Sequence, residues 1–282
     1  MINTNNSLEK IMLREGVYFF NRENDFIKDE HVYCKKCGER KDKDLINVFG
    51  VKRVLGRSCK CDREREKLKK EKEMQDQINL LKDRCFLSEI QKNYTFENYK
   101  GEYNQAYKVA KNYVKHFEKM KEDNIGLFLY GNVGSGKTYL SCSIANDIIE
   151  KYKISVKVRN LSQIINEIQC GGFELDKNQY IDRIVNVPLL ILDDLGIERN
   201  TSYAKEQIYN IIDSRCLKNK PTIFTTNLSY DELKNEQNIE YKRIYSRILA
   251  MTLPVLIEGI DFREKIQREK LQKNSARLLE SL

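Results

Sequence analysis

Residues 131–138 read GNVGSGKT and directly follow the apolar run GLFLY at 126–130. The octapeptide fits G-x-x-x-x-G-K-[ST], and its place between a predicted strand and a predicted helix gives the pattern its weight. Glycines let the backbone curl until successive N–H groups point inward as an anion nest. The helix that follows adds its positive N-terminal end. Gly131, Asn132, Val133, Gly134, Ser135 and Gly136 are therefore read as a phosphate cradle. Lys137 is expected to reach the β- and γ-phosphates of a nucleotide, and the Thr138 hydroxyl to ligate Mg²⁺. A glycine-rich turn without a ligand is the alternative, and the agreement of strand, loop and helix argues against it.

Working outward, the apolar runs SVKVRN (155–160), LLILDD (189–194), PTIFTTN (221–227) and TLPVLIEG (252–259) alternate with amphipathic stretches. That rhythm predicts an α/β domain with a parallel sheet. The near-continuous hydrophobicity of LLIL fits a strand buried on both faces. In YAKEQIYNIIDSRC (203–216), Ala204, Ile208, Ile211, Ile212 and Cys216 recur at helical spacing. Gly171-Gly172 divides the helical region 161–186 into two shorter helices.

Asp193 and Asp194 end the LLILDD strand beside the phosphate loop. Unpaired buried carboxylates cost several kcal/mol, about 3–5 when a partner is missing. A metal at the C-terminal edge of a parallel sheet would be their partner. Asp193 is read as the Mg²⁺-side carboxylate, and Asp194 as the group that orients or deprotonates an attacking water. One of the two could instead cap the next turn. Asn227 closes TTN, where an uncharged amide can hold that water; as an alternative, Asn227 or Ser229 could cap the helix that begins near DEL. RIYSRI (243–248) puts Arg243 and Arg247 one turn apart on one helix face, a mildly unfavourable like-charge pair that needs an acidic partner.

The order GNVGSGKT, LLILDD, TTN, RIYSRI and GIDFR (259–263) resembles the AAA+ ATPases of the DnaC/DnaI helicase-loader family over residues 94–265, and YTFENY (94–99) resembles that family's lead-in segment. IstB-type transposition ATPases share this core. The resemblance implies an AAA+ P-loop NTPase with a parallel sheet sandwiched by helices. It implies that Asn227 is sensor 1, that Arg263 is the sensor 2 arginine touching the γ-phosphate of its own subunit, and that Arg247 is an arginine finger reaching the ATP of a neighbouring subunit. Arg243 is then a second basic residue at that interface. Asp194 stands where many AAA+ proteins have Glu, although the resembling loaders also carry Asp–Asp; Glu198 is an alternative base. The 161–186 region resembles an insertion that lines a channel for single-stranded DNA, with Lys177, Tyr180 and Arg183 chemically suited to contact it.

Cys34-x₂-Cys37 and Cys59-x-Cys61 form two chelating pairs, the logic of a structural Zn²⁺ site in a small N-terminal zinc-binding domain. His31 is a possible replacement ligand, and four reduced structural cysteines are the alternative. The other four of the eight cysteines, Cys85, Cys142, Cys170 and Cys216, sit in helical patterns and are expected to pack. The organisation expected is a zinc-binding, docking head at 1–61, a charged helical linker at 62–93, the ATPase domain at 94–265 and a basic tail helix at 266–282.

With 50 Lys and Arg among 282 residues and a formal net charge of +8, the chain tolerates a nucleic-acid partner without requiring one. No apolar run approaches the roughly 20 residues of a membrane span and the N-terminus is polar, so a cytoplasmic protein is expected. By resemblance, the leading function is ATP-dependent loading of a replicative hexameric helicase onto single-stranded DNA by a self-associating ATPase. An IstB-type transposition helper that binds duplex DNA and transposase is the alternative.

Overall fold

The computed structural model describes residues 23–29, 31–42, 46–48, 51–53, 56–99, 104–170, 176–196, 201–259 and 261–279. Gly171, Gly172 and Glu198, singled out above, lie outside the described residues. The chain divides into two compact units, residues 1–76 and 77–282.

In the first unit, β1 (Asp25–Lys28) pairs antiparallel with β2 (His31–Cys34), and β3 (Ile46–Val48) pairs antiparallel with β4 (Val51–Arg53). Apolar side chains are scarce here, and a charge cluster takes part of their place. The buried Lys41 ammonium lies 2.9 Å from Asp25 and 3.0 Å from Asp62. Burial opposes its charge, but hydrogen bonds to Asp25 and Asp62 outweigh that and raise its pKa.

Helix α1 (Lys60–Cys85) starts in this unit and ends in the next. Its exposed middle carries the ion pairs Glu66–Lys70, Lys67–Glu71 and Lys69–Glu73, each four residues apart, the pattern of a solvated helix. Its last turns differ: Ile78 and Cys85, with the adjoining Phe86, are buried in the core of the second unit. The unit boundary thus falls inside the 62–93 stretch, and the end of that stretch contributes core.

The second unit continues through α2 (Glu89–Lys92), α3 (Gln105–Lys115), α4 (Phe117–Glu122), β5 (Gly126–Tyr130), α5 (Lys137–Tyr152), β6 (Val156–Asn160), α6 (Leu161–Cys170), α7 (Lys177–Val185) and β7 (Leu189–Leu195). It then runs through α8 (Ser202–Leu217), β8 (Thr222–Thr226), α9 (Tyr230–Lys234), α10 (Ile239–Met251), β9 (Thr252–Leu256) and α11 (Phe262–Leu279). All five apolar runs became strands, parallel throughout, in the order β6-β7-β8-β5-β9.

Alternation along the strands sorts the side chains into two cores. Leu127, Leu129, Leu189, Ile191 and Ile223 pack with α3, α5 and the end of α1. Phe128, Leu190, Leu192 and Phe224 face α6, α7, α8 and α10. The sheet is therefore covered on both sides, as a parallel sheet requires. Cys85 and Cys142 are buried and Cys216 is half-buried, while the Cys170 side chain is not among those described.

One charged side chain sits inside this fold. Arg215, on α8, is fully buried and donates to the carbonyls of Val185 (2.9 Å), Val187 (2.5 Å) and Pro221 and to the Thr222 hydroxyl (3.0 Å). It ties the end of α7 and the starts of β7 and β8 to one helix.

Candidate functional site

The crossovers bring the C-terminal ends of β5, β7 and β8 together, and the cavity lies there. It measures about 300 Å³ and is lined among others by Val133, Gly134, Gly136, Lys137, Thr138, Asp194, Asn227 and Arg263. Gly131, Asn132 and Ser135 are not in its lining. The Lys137 ammonium donates to the carbonyls of Gly131 (2.8 Å) and Asn132 (2.6 Å). Burial lowers its pKa, opposed by the charges of Asp194 and Asp193.

Backbone geometry explains the glycines. Gly134 has φ +73°, and a Cβ there would fall on the Asp261 carboxylate. That carboxylate caps α11 by accepting from the Arg263 N–H (2.8 Å), and the Phe262 N–H donates to the Gly134 carbonyl (3.1 Å). The start of α11 is thus tied to the phosphate loop, which is how Arg263 comes to the cavity wall.

On the opposite wall, the β7–β8 ladder shifts register between Leu192 and Leu195. Asp194 has φ +58°, a left-handed backbone that costs most residues energy and that Asp tolerates better than most. Asp194 lines the cavity at this irregularity. Thr225 repairs the broken ladder: its hydroxyl accepts from the Asp194 N–H (2.9 Å) and donates to Asp193 Oδ1 (2.5 Å). The Thr138 hydroxyl donates to the same oxygen at 3.0 Å. Asp193 is buried, and burial raises its pKa, with the Thr225 hydrogen bond opposing.

Asn227 follows β8 and reaches the cavity, and the helix-capping alternative belongs to its neighbour. Ser229 caps α9 in a reciprocal capping box with Glu232.

Arg247 and Arg243 do not line this cavity. Both stand on α10 against α8, with guanidiniums 4.7 Å and 5.0 Å from the centre of the Tyr209 ring. Arg247 Nε donates to the Asp213 carboxylate, which raises the arginine's pKa. Of the three residues in the 161–186 region suited to DNA contact, Tyr180 donates to Glu167 and Arg183 to Gln179.

In the first unit, the sulfurs of Cys34, Cys37, Cys59 and Cys61 all lie within 4.8 Å of one another. Four thiolates about 2.3 Å from one zinc sit about 3.8 Å apart, so this spacing fits a tetrahedral site. Gly38 (φ +69°) closes the first pair, its N–H donating to the Cys34 carbonyl at 2.8 Å. Burial pushes the Cys59 thiol up to about 12, while the Glu39 backbone N–H draws Cys37 down to about 7. His31 is not in the cluster; its Nδ1 pairs with Asp42 at 2.8 Å.

A family model described as IstB-like ATP binding protein matches residues 61–269. The chain belongs to that family. The replicative helicase loader DnaC of Escherichia coli strain K12 is 27% identical to this family member over 218 residues, 74% of this chain and 82% of its own. The replicative helicase loader DnaI of Bacillus subtilis strain 168 is 28% identical over 144 residues, 48% of this chain and 46%, just under half, of its own. The crystal structure of the DnaC helicase loader superposes with a TM-score of 0.52 at 26% identity, covering 61% of this chain and 100% of that one. That of DnaI gives a TM-score of 0.52 at 27% identity, covering 63% of this chain and 94% of that one. The α/β unit is an AAA+ fold.

Within this IstB-like site, the residues fit a magnesium–nucleotide. Gly134 and Gly136, both at positive φ, line the cavity at the start of α5, and Thr138, Asp193 and Asp194 form an oxygen donor set suited to a hard cation. Reading along the chain missed several contributors. Thr225 stands two residues before Asn227, yet its bonds to the aspartates depend on strand order. Tyr94 and Tyr139, stacked at 4.4 Å, form an aromatic wall of the cavity, and Phe262 joins the lining. The aromatic repetition in YTFENY was the available signal for Tyr94.

Proposed function

We propose that this chain is an ATPase that loads a replicative hexameric helicase onto single-stranded DNA, working as an assembly whose ATP sites lie between subunits. The observation that carries this reading is the distribution of the charged groups. Lys137, Thr138, Asp194, Asn227 and Arg263 line one cavity and Asp193 is hydrogen-bonded to Thr138 beside it, while Arg247 is outside the lining and paired with Asp213. A site with every part but the finger is suited to completion by a second copy. The extent of the match to DnaC, 82% of that loader's length, supports the helicase as the partner.

In this reading, magnesium neutralises phosphate charge and makes the γ-phosphoryl easier to displace. The chain's own residues do the rest. Lys137 leaves the loop carbonyls for the phosphates, and Thr138 and Asp193 hold the metal's side of the nucleotide. Asp194 takes the proton of a water that Asn227 orients, and Arg263 fixes the γ-phosphate from the same chain. Glu198, the other candidate base, lies outside the described residues.

Residues 1–61 form the docking head, 62–93 the connection to the 94–265 ATPase region, and 266–282 a basic tail. Cytoplasmic residence belongs to the same reading; among the described residues no helix is long and apolar enough to cross a membrane.

Zinc is assigned to Cys34, Cys37, Cys59 and Cys61. Purified protein is expected to carry about one zinc per chain. Stripping it with a strong chelator should open the 31–61 region to protease while the second unit's unfolding transition stays in place. Metal-free protein with a protease-resistant head would remove the assignment.

The loader reading is tested with the full chain, ATP, single-stranded DNA circles and a replicative hexameric helicase. ATP-dependent retention of helicase on the circles is expected. A second reading is the transposition helper that the resemblance to IstB-type ATPases implies, and the IstB-like family match supports weighing it. Failure to bind helicase, together with ATP-dependent filaments on duplex DNA, would establish that one instead.

A further inference from the structure

RIYSRI places two arginines against one tyrosine, and the two are held differently. Arg243 leans on the Tyr209 ring and lies 3.4 Å from its hydroxyl. Arg247 lies closer over the same ring and is gripped from the side: its Nε donates to Asp213, one turn further along α8. The geometry of that grip matters. A carboxylate that meets the Nη pair end-on uses up the fork that matches phosphate. Here the carboxylate takes Nε, and among the described residues Nη1 and Nη2 have no hydrogen-bond partner. Arginine is a flexible chain ending in a flat group. A ring beneath the plane and an acceptor at its inner edge together fix both the chain and the plane.

We infer that Asp213 and Tyr209 form a clasp that holds Arg247 with its two terminal nitrogens facing outward, making Asp213 a positioning residue for the nucleotide of a neighbouring copy. This deepens the proposal above and rests on its assignment of Arg247. Asp213 also answers the charge problem of the sequence. Two guanidiniums over one ring repel, and a carboxylate beside one of them lowers that repulsion without reaching the substrate. The side chains of Arg247 and Asp213 are 33% and 25% exposed, open enough for a partner to approach. A half-buried pair at the surface adds little to stability, and the role assigned to it here is orientation.

Mixed assemblies test this. A Lys137→Ala chain keeps its finger but cannot use its own nucleotide, and an Arg247→Ala chain does the opposite. Mixed with ATP and single-stranded DNA, the two should restore turnover that neither shows alone. Asp213→Asn is then added to one chain at a time. On the Lys137→Ala chain, which supplies the finger, it should lower the restored kcat about tenfold with the KM for ATP unchanged, the effect of a misplaced catalytic group. On the Arg247→Ala chain, which has no finger to hold, the restored rate should stay within about twofold. The asymmetry is the readout. Equal loss in both placements means that Asp213 supports the fold or the assembly, and no loss or a rise in rate on the finger chain means that it does not position Arg247; each overturns the clasp. Failure of the two parent chains to restore turnover at all overturns the shared-site reading itself.

Discussion

Asp193→Asn is expected to reduce magnesium-dependent ATP turnover by at least about a hundredfold, the scale seen when one preorganised charge is removed from a reacting site. Steady-state phosphate release checks this. The fold should not suffer, because an amide oxygen can still accept from the Thr138 and Thr225 hydroxyls. Stability at neutral pH should in fact rise. Burial raises the Asp193 pKa above its ordinary value, so the folded state holds the proton more tightly than the unfolded chain does. The linkage sign follows: this group disfavours folding more and more as pH climbs from the unfolded pKa through the raised one, and stops changing above it. The amide removes that penalty. Thermal unfolding at pH 7 without nucleotide should therefore show a higher Tm for Asp193→Asn, with the difference vanishing at acid pH. A lower Tm at pH 7 would mean that the carboxylate serves the fold and not the site. This is the trade of stability for function expected if the carboxylate serves a metal at the end of an apolar strand.

The second large effect concerns stability alone. Arg215→Met is expected to cost about 3–5 kcal/mol in urea unfolding, the range for removing one partner of a buried charged network. Methionine fills much of the space but leaves the Val185, Val187 and Pro221 carbonyls and the Thr222 hydroxyl without their donor. Burial draws the Arg215 pKa down to about 9, so the group is still charged at pH 7 and those four acceptors solvate it. Arg215→Lys should recover little, since a point charge cannot serve acceptors spread around a planar fork. A loss below about 1 kcal/mol for Arg215→Met would show that the carbonyls find other donors.

These two residues mark how far the chain could be read without its fold. Asp193 stood out because its signal is local: two carboxylates end an apolar run that shares a sheet with the strand leading into the phosphate loop. Arg215 did not. In YAKEQIYNIIDSRC it looks like one more surface base among fifty Lys and Arg residues, next to the apolar positions that define the helix. Only the packing of α8 across the starts of β7 and β8 puts it inside. Asp213 was invisible for the same reason; an acid on α8 and an arginine on α10 meet because the helices pack together. The 62–93 stretch shows the opposite limit. Its charge pattern accompanies a helix with an exposed middle, but Ile78, Cys85 and Phe86 are too few among charged neighbours to announce a buried end.

By itself, the sequence determined the features that depend on neighbours along the chain. The phosphate loop is one, because glycine backbones and a helix start are local properties. The strands are another, because burial on both faces leaves an unbroken apolar run. The thiol pairs are the third, because two residues a chelate apart need no fold to be recognised. The tertiary structure alone decided which residues meet across elements. Thr225 joins Asp193 because β7 and β8 are adjacent with a shifted register. His31 goes to Asp42 and not to the thiols, and Arg247 is turned toward Asp213 and Tyr209. Hydrogen bonds and ion pairs act over about 3 Å of space, whatever the number of residues between the partners.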